Sequence, residues 1–206
     1  MPGRPTTALK RARRVRGTPD ETRERLVAAA AFVLNRDGYY GTDTNKIAAE
    51  AGYAAGTFYK HFADKREVLL AAYERWVTAE WTALGAELEA ELAPRERVER
   101  IVDLLLDLHT RWRGLRASLL ALLPLDDAVR RFHRAQRRRQ LDLLGELRAR
   151  HGAAPRSSEA DAFDLFTLER VCDAIANGEA RDLGLERARL VELLRETVAR
   201  SWSPRR

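Results

Sequence analysis

The chain has 206 residues, a formal net charge of +6 and a single cysteine, Cys172. One cysteine excludes an internal disulfide framework, no apolar run is long enough to span a membrane, and the basic start lacks the apolar segment of a secretory signal, so we expect a cytoplasmic protein. Alanine, leucine, arginine and glutamate dominate, which favours an all-α protein.

The excess positive charge lies at the N-terminus, and the acidic and basic residues of the remaining chain balance. Such an arm is too polar to form a core, is expected to be disordered on its own, and commonly binds a polyanion. Nucleic acid is therefore the first partner to consider, with an arm that only aids solubility as the alternative. Residues 1–17 contain no acid and six bases, which are Arg4, Lys10, Arg11, Arg13, Arg14 and Arg16.

Apolar periodicity predicts nine helices and no strand. The first helix runs from about residue 19 to 35, and two short helices follow at about 44–51 and 55–62. A long fourth helix, from 65 to about 90, joins this N-terminal unit to the rest of the chain. The five later helices are predicted from Pro94 to Gly114, over the apolar stretch ending at Pro124, from Asp126 to about 152, from Ser157 or Ser158 to Gly178, and over about 185–202.

The two short helices are typical of a helix-turn-helix, because a glycine, Gly52, separates them. Ala48 is small enough for the helices to cross closely, and Gly52 allows the positive φ of the turn. Phe58 and Phe62 are predicted to fill the core beneath the second helix. The polar residues between and beside them then face outward, where they could donate hydrogen bonds to phosphate oxygens. These residues are Thr57, Tyr59, Lys60 and His61.

Residues 42–69, TDTNKIAAEAGYAAGTFYKHFADKREVL, resemble the DNA-binding signature of the TetR family of bacterial transcriptional regulators. The shared pattern is a threonine-rich start, Ile-Ala, an Ala-Gly turn, Gly-Thr, an aromatic, Tyr, two residues, Phe, and Lys three positions on. It covers the N-terminal head strongly, whereas the remaining two-thirds of the chain agree in helix count and length alone.

The resemblance implies a two-domain, nine-helix architecture with a three-helix head. Residues 1–17 would be the basic arm, 18–65 the helix-turn-helix DNA-binding domain, and 66–206 a ligand-binding and dimerisation domain. It implies a homodimer that places the second helix of each motif in the major groove of double-stranded DNA. A small-molecule effector would alter the spacing of the two heads, so the expected function is a ligand-responsive repressor released from a palindromic operator.

Candidate DNA contacts follow from the resemblance, position by position. Asp43 and Ala54 depart from the family pattern, and the head from 18 to 65 has no net positive charge, so the arm is expected to supply the missing attraction along the backbone or in the minor groove. The phosphate-contacting positions are Thr42, Thr44, Thr57, Tyr59, His61 and Lys65, the base-reaching ones Tyr53, Ala55 and Lys60, and the further candidates Lys46, Arg11, Arg13, Arg14 and Arg16.

The C-terminal domain supplies a candidate pocket and a candidate dimer interface, with an ordinary packed core as the alternative for both sets. The pocket candidates are Trp76, Trp81, Leu105, His109, Trp112, Phe132, Gln136 and Phe166. The interface candidates, on the last two predicted helices, are Phe163, Leu168, Ile175, Leu190, Leu194, Val198 and Trp202.

Three further features receive structural interpretations. Cys172 lies on an apolar face and is expected to be a buried, inert thiol. His109 and His133 lack a second ligand at helical spacing, so we expect neither a metal site nor a cofactor. The run from Arg130 to Arg139 could bind an anionic ligand, but a solvated helix face is favoured, with some arginines pairing with acids of residues 168–182.

Three classes of function remain to be weighed. An enzyme is disfavoured, because the sequence contains no nucleophile elbow, phosphate loop, Cys-His pair or metal-spaced cluster. A constitutive architectural DNA-binding protein could act through the basic arm alone. The large C-terminal domain argues against it, because simple DNA packaging does not need such a domain.

Overall fold

The computed structural model describes residues 17–202, which form ten α-helices and no strand. The predicted all-α class is confirmed for this part of the chain, whereas the arm residues Arg11, Arg13, Arg14 and Arg16 lie outside it. The first five helices are α1 (Pro19–Asp37), α2 (Thr44–Glu50), α3 (Ala55–Phe58), α4 (Lys65–Glu89) and α5 (Pro94–Arg111). The second five are α6 (Arg113–Leu122), α7 (Asp127–Arg150), α8 (Ser158–Ala176), α9 (Glu179–Asp182) and α10 (Arg187–Ser201).

The predicted number of nine helices is wrong by one. The additional helix, α9, has four residues and follows Gly178, whose φ of 80° ends α8. A single turn is too short to produce an apolar period in the sequence. The third helix is also shorter than predicted, although the Phe62 amide still donates to the Phe58 carbonyl over 3.0 Å, so the chain stays compact to residue 62.

Local capping explains where α1 begins. Thr18 accepts a hydrogen bond from the Glu21 amide over 3.2 Å, and the Glu21 carboxylate accepts one from the Thr18 amide over 3.0 Å. Pro19 occupies the first turn, where its missing N–H costs nothing. This reciprocal capping box satisfies two otherwise free amides and fixes the start of α1.

Two hydrophobic cores organise the described chain. The first joins the N-terminal helices to α6 and the beginning of α7, with Leu26, Phe58, Leu69, Leu115 and Leu119 all fully buried. The second fills the space between the end of α4 and helices α5, α7, α8 and α10. Because α4 contributes to both cores, it connects them as the sequence predicted.

A single side chain ties α1 to the corner between α5 and α6. The Asn35 amide nitrogen donates to the Arg111 carbonyl over 2.8 Å, and its oxygen accepts from the Gly114 and Leu115 amides over 2.9 and 3.1 Å. Ser118, one turn further along α6, donates to the Leu34 carbonyl over 3.3 Å. Asn35 therefore satisfies free backbone groups at the end of one helix and the start of the next.

None of the described helices has the length and apolar content needed to cross a membrane.

Substitution of Gly114 tests the contact of α1 with the corner between α5 and α6. A Cβ atom at Gly114 would lie 1.9 Å from the Asn35 carbonyl oxygen, so Gly114→Ala must separate α6 from α1. We expect a loss of about 2–3 kcal/mol in the free energy of unfolding, measured by urea denaturation. The control is Gly145→Ala in α7, where nothing lies within 4 Å of the added atom. That variant should gain about 0.5–1 kcal/mol from helix propensity, and equal effects of the two substitutions would contradict the proposed contact.

Candidate nucleic-acid interface and ligand cavity

The two helices of the predicted helix-turn-helix meet at a tight turn. The Asp43 carboxylate accepts from the Lys46 amide over 2.8 Å and so caps α2. Gly52 has a φ of 79°, and the Tyr53 amide donates to the Ala48 carbonyl over 2.8 Å. Asp43 thus has a capping function that explains an acid at this position. The positive φ explains the glycine in the turn.

The turn that follows α3 carries exposed polar side chains above two buried phenylalanines. Phe58 and Phe62 are buried, as predicted, while Tyr59 is 59 % exposed and Lys60 is exposed. The Tyr59 hydroxyl and the Thr44 hydroxyl share a hydrogen bond of 2.9 Å, which joins α3 to the start of α2. This bond brings two predicted phosphate contacts together on one surface.

Three other predicted contact residues surround this cluster with part of their surface exposed. They are Ala55, Thr57 and His61.

Two of the three predicted lysine contacts, Lys46 and Lys65, are anchored to backbone carbonyls. The Lys65 ammonium donates to the Tyr39 and Thr42 carbonyls over 2.6 Å each and lies 4.0 Å from the centre of the Tyr39 ring. Burial lowers the pKa of Lys65. The Lys46 ammonium donates to the Gly41 carbonyl over 2.7 Å. Both lysines therefore hold the segment between α1 and α2, and only their remaining donors are available to a phosphate.

Two predicted DNA contacts are placed differently from the expectation. Thr42 is buried, and its hydroxyl has no hydrogen-bond partner among the described residues. Tyr53 is half-buried against the first core, with its hydroxyl also buried and unpartnered in this part of the chain. In this structure neither hydroxyl is on the exposed face, because both hydroxyl oxygens are buried.

Comparison with known proteins agrees with this geometry. Residues 26–72 match the family model described as "Bacterial regulatory proteins, tetR family". The chain carries a TetR-family DNA-binding domain. The transcriptional regulator CymR of Pseudomonas putida is 36 % identical over 78 residues, which cover 38 % of each chain. The transcriptional activator FasR of Mycolicibacterium smegmatis is 31 % identical over 88 residues, covering 43 % of this chain and 40 % of the relative.

The chain spans about two fifths of the length of these curated relatives. The fold likeness extends much further. A protein from Saccharomonospora viridis solved in complex with choline has a TM-score of 0.68 and 21 % identity, covering 87 % of this chain and 96 % of that one. The fatty acid degradation regulator FadR from Bacillus halodurans has a TM-score of 0.66 and 20 % identity, covering 90 % and 96 %. At these identities the likeness concerns the fold.

Behind the TetR-family head, the second core encloses a cavity of about 70 Å³. Its walls come from α4, α5, α7, α8 and α10 and are mainly apolar. Three of the predicted pocket residues line it, namely Trp81, Leu105 and His109. Three residues predicted at the dimer interface also line it, namely Leu168, Val198 and Trp202.

The other predicted pocket residues lie elsewhere. Trp76 is buried in the first core with its ring centre 5.1 Å from that of Tyr73, and Trp112 and Phe132 pack against the same core. Gln136 lines a separate open groove between α4 and α7. Phe166 is 52 % exposed, because it lies on the outer side of α8. Its assignment to an enclosed pocket is therefore wrong.

The predicted dimer interface also needs correction. Leu194 and Val198 are buried in the second core, so they are intramolecular contacts and not part of a free surface. Leu168, Ile175 and Trp202 pack against the same core with part of their surface exposed, and Leu190 is half-buried. Phe163 is 68 % exposed, and its role at a dimer interface stays a prediction. The apolar stripes of α8 and α10 therefore have an inner side that packs in the second core and an outer side that is exposed, and the sequence pattern does not distinguish the two.

A buried network of charges lies beside the cavity and centres on Arg116 of α6. The Arg116 guanidinium donates to both Asp173 oxygens over 2.8 Å and to Glu169 over 3.1 Å. Arg137 of α7 forms a close two-pronged pair with Glu169, and His109 Nδ1 lies 2.8 Å from Asp173. Burial raises the pKa of Glu169, but the two guanidinium groups outweigh burial and lower it overall. The network thus links α6 to the cavity wall through ionised groups.

The arginine run on α7 has two sides. Arg131, Arg134 and Arg138 are exposed, in agreement with the favoured solvated face. Arg137 points inward to Glu169, which confirms the expected pairing with the segment 168–182. Arg139 pairs with Glu74 over 3.2 Å.

Two acidic groups of the cavity have strongly perturbed titration. Cys172 is buried, as predicted, and burial raises the pKa of its thiol to about 12. Glu80 of α4 is buried too, and burial raises its pKa to about 7. Among the described residues, no group of three or more histidine, cysteine or acidic side chains is arranged to hold a metal ion.

Sequence reasoning missed Asn35, Glu80 and Arg116. Arg116 carried a signal, because it interrupts the apolar segment from 115 to 123, where a charge needs a partner. Asn35 follows the last apolar residue of α1, where an exposed C-terminal polar residue is ordinary. Glu80 resembles any other acid of a long helix, so its burial had no sequence signal.

The stability of the protein should depend on Glu80. The groups that face it are His109 of α5, Arg116 of α6, Arg137 of α7 and Glu169 of α8. The pKa of Glu80 is higher in the folded than in the unfolded chain. Its favourable contribution to the free energy of unfolding is therefore complete below about pH 4.5 and is lost as the pH rises through about 7.

We therefore expect the Glu80→Gln variant to have a larger free energy of unfolding than the wild type. The difference should grow with pH and reach about 2–3 kcal/mol. Urea denaturation between pH 4.5 and pH 8 measures the margin. Glu89→Gln, at an exposed carboxylate on the same helix, is the control and should show little pH dependence. A constant margin for Glu80→Gln would exclude this titration.

Proposed function

We propose that the protein is a sequence-specific transcriptional regulator that responds to a small molecule and acts as a repressor. The observation that carries the proposal is the combination of an exposed polar surface, formed by α3 and the turn after it on a TetR-family head, with a cavity in the second core. A DNA-binding head alone would need no such cavity.

DNA binding is proposed to use the outer surface of the helix-turn-helix. Tyr59, Thr44, Lys60, Thr57 and His61 would donate to phosphates, and the exposed position of Lys60 also lets it reach base edges. Ala55 offers only a methyl group, which suits contact with a thymine methyl. Lys46 and Lys65 would act mainly by fixing the segment that precedes α2, each through its carbonyl contacts.

The head from 18 to 65 has no net positive charge, so we assign the missing attraction to the sequence of the N-terminal arm. Two such heads would read a palindrome if the protein forms a homodimer. We propose that the dimer forms through the outer sides of α8 and α10, where the exposed apolar side chains Phe163, Phe166 and Leu193 occur.

Effector binding is proposed to reach the head through α6. Glu169 lines the cavity and bonds to Arg116 of α6, and His109 of the cavity wall contacts Asp173, which also binds Arg116. The same first turn of α6 is held by Asn35 of α1, which accepts from the Gly114 and Leu115 amides. A ligand that displaces His109 or Glu169 would therefore shift α6, and α6 would shift the head.

A gel-shift titration with DNA from upstream of the protein's own gene tests the regulator against its alternative. Protection of a palindromic sequence that resists competitor DNA supports the proposal. Binding that depends only on salt and not on sequence would instead favour the architectural DNA-binding protein that the basic arm allows. Absence of DNA binding would refute both.

Tyr59→Phe tests the phosphate surface. The exposed hydroxyl contributes one hydrogen bond to Thr44 and none to the core, so the fold should persist. We expect affinity to fall about three- to tenfold for operator and unrelated DNA alike, measured by fluorescence anisotropy.

Phe58→Ala is the contrasting variant, because Phe58 is completely buried and its loss should unfold the head. Unchanged DNA affinity in folded Tyr59→Phe would remove this tyrosine from the interface.

Deletion of residues 1–16 tests the arm. If its four arginines from Arg11 to Arg16 neutralise phosphates, the slope of log affinity against log salt should become shallower by about 3 to 4. The control replaces the exposed Arg131, Arg134 and Arg138 with glutamine, which removes positive charge from α7 and should leave the slope unchanged. An unchanged slope after the deletion would show that the arm does not bind DNA.

A further inference from the structure

Two polar side chains face each other across the cavity wall without a direct hydrogen bond between them. Glu80 lies on α4 and His109 on α5, both line the cavity, and both are buried. A Glu80 carboxylate oxygen is 3.9 Å from His109 Nε2, which is too far for a direct hydrogen bond. No other hydrogen-bond or ion-pair partner of the Glu80 carboxylate occurs within residues 17–202.

The opposite side of the His109 ring determines what Nε2 can do. Nδ1 lies 2.8 Å from Asp173 Oδ1, and both oxygens of that carboxylate accept from Arg116. Burial raises the pKa of Asp173, but the hydrogen bonds from His109 and Arg116 outweigh it and keep the group ionised. Because an ionised carboxylate only accepts, Nδ1 carries a hydrogen, and Nε2 is an acceptor in the tautomer that has no second hydrogen.

The arginines around the cavity leave one carboxyl group without a guanidinium partner. Arg116 and Arg137 match Glu169 and Asp173, and the remaining guanidinium groups match two further carboxylates. Those pairs are Arg148 with Asp161 and Arg156 with Asp164, each at 2.5 Å. Glu80 is the acid that has no guanidinium of its own, and a buried unpaired carboxylate is costly unless a cation reaches it.

The rest of the cavity is suited to a short apolar chain. Leu84, Ile101 and Leu105 form its aliphatic side, and the Trp81 ring adds an aromatic surface. A volume of about 70 Å³ is small compared with the pockets that hold drug-sized molecules. The ligand that fits without rearrangement is therefore small.

We propose that the cavity binds a primary or secondary alkylammonium ion, whose N–H groups bridge the Glu80 carboxylate and His109 Nε2 while its alkyl chain packs against the aliphatic wall. An ammonium group has at least two donors and a positive charge, so it can satisfy both acceptors and match the charge of Glu80 at once. An alcohol has one donor and no charge, and a quaternary ammonium has no N–H donor. This inference rests on the proposed function, because it names the chemical class of the proposed effector.

Calorimetric titration of the full-length protein with probes of matched size tests the proposal. The probes are butylammonium, butan-1-ol, butanoate and tetramethylammonium, and no DNA is present. We expect butylammonium to bind at least about tenfold more tightly than each of the others. Its binding should tighten from about pH 6 to about pH 8, because it requires ionised Glu80.

Two variants assign the binding to Glu80. In Glu80→Gln the side chain keeps its shape and loses its charge, so the affinity for butylammonium should fall to that for butan-1-ol. The matched control, Glu89→Gln on the exposed side of α4, should bind like the wild type. Unfolding curves verify that both variants are folded, and Glu80→Gln is not expected to lose stability because it removes an unpaired buried charge.

Five results would overturn the proposal, and the first four concern butylammonium, its neutral and anionic analogues, and the Glu80 variant. They are no binding of butylammonium, equal binding of butan-1-ol, tighter binding of butanoate, and unchanged affinity in Glu80→Gln. Equal binding of tetramethylammonium would also overturn it, because the bridge requires N–H donors. Since the titration is done without DNA, its failure leaves the proposed DNA binding untouched, and loss of DNA binding in the gel-shift assay leaves the cavity result untouched.

Discussion

The contact between Asn35 and the corner of α5 and α6 sets the relation between the two halves of this protein. One side-chain amide satisfies a carbonyl at the end of α5 and two amides at the start of α6. Gly114 allows this approach, because a side chain there would collide with the α1 backbone. The first core can then close over α6, which would otherwise belong only to the C-terminal half. The head and the larger domain therefore share a core as well as the long helix α4.

Arg116 gives α6 its second attachment. A buried guanidinium requires carboxylate partners, and Glu169 and Asp173 of α8 supply them. Such a pair contributes little net stability when it replaces apolar packing, but breaking one side of it is costly. The start of α6 is thus constrained both by the hydrogen bonds from Asn35 and by the charge pairs of Arg116. Any change in the carboxylates of α8 must be accommodated by α6.

The same network defines the chemical character of the cavity. The two arginines of the network pair with Glu169 and Asp173, so Glu80 of the cavity wall has no guanidinium partner and lies 3.9 Å from His109. Helix α6 contacts both α1 of the head and α4 of the cavity wall, so it lies between these two regions.

The sequence by itself determined the helical class, the order and approximate bounds of the main helices, and the DNA-binding head. These features depend on local signals: apolar periodicity, capping residues, and glycines such as Gly52. The burial of Phe58 and Phe62 could be predicted for the same reason, because residues four apart lie on the same face of a helical turn. Only the tertiary structure decided which apolar residues of α8 and α10 face the core, because a broad apolar stripe does not show its inner side. It also decided the roles of Asn35, Arg116 and Glu80, since each depends on partners that are far away in the sequence and adjacent only after the helices pack.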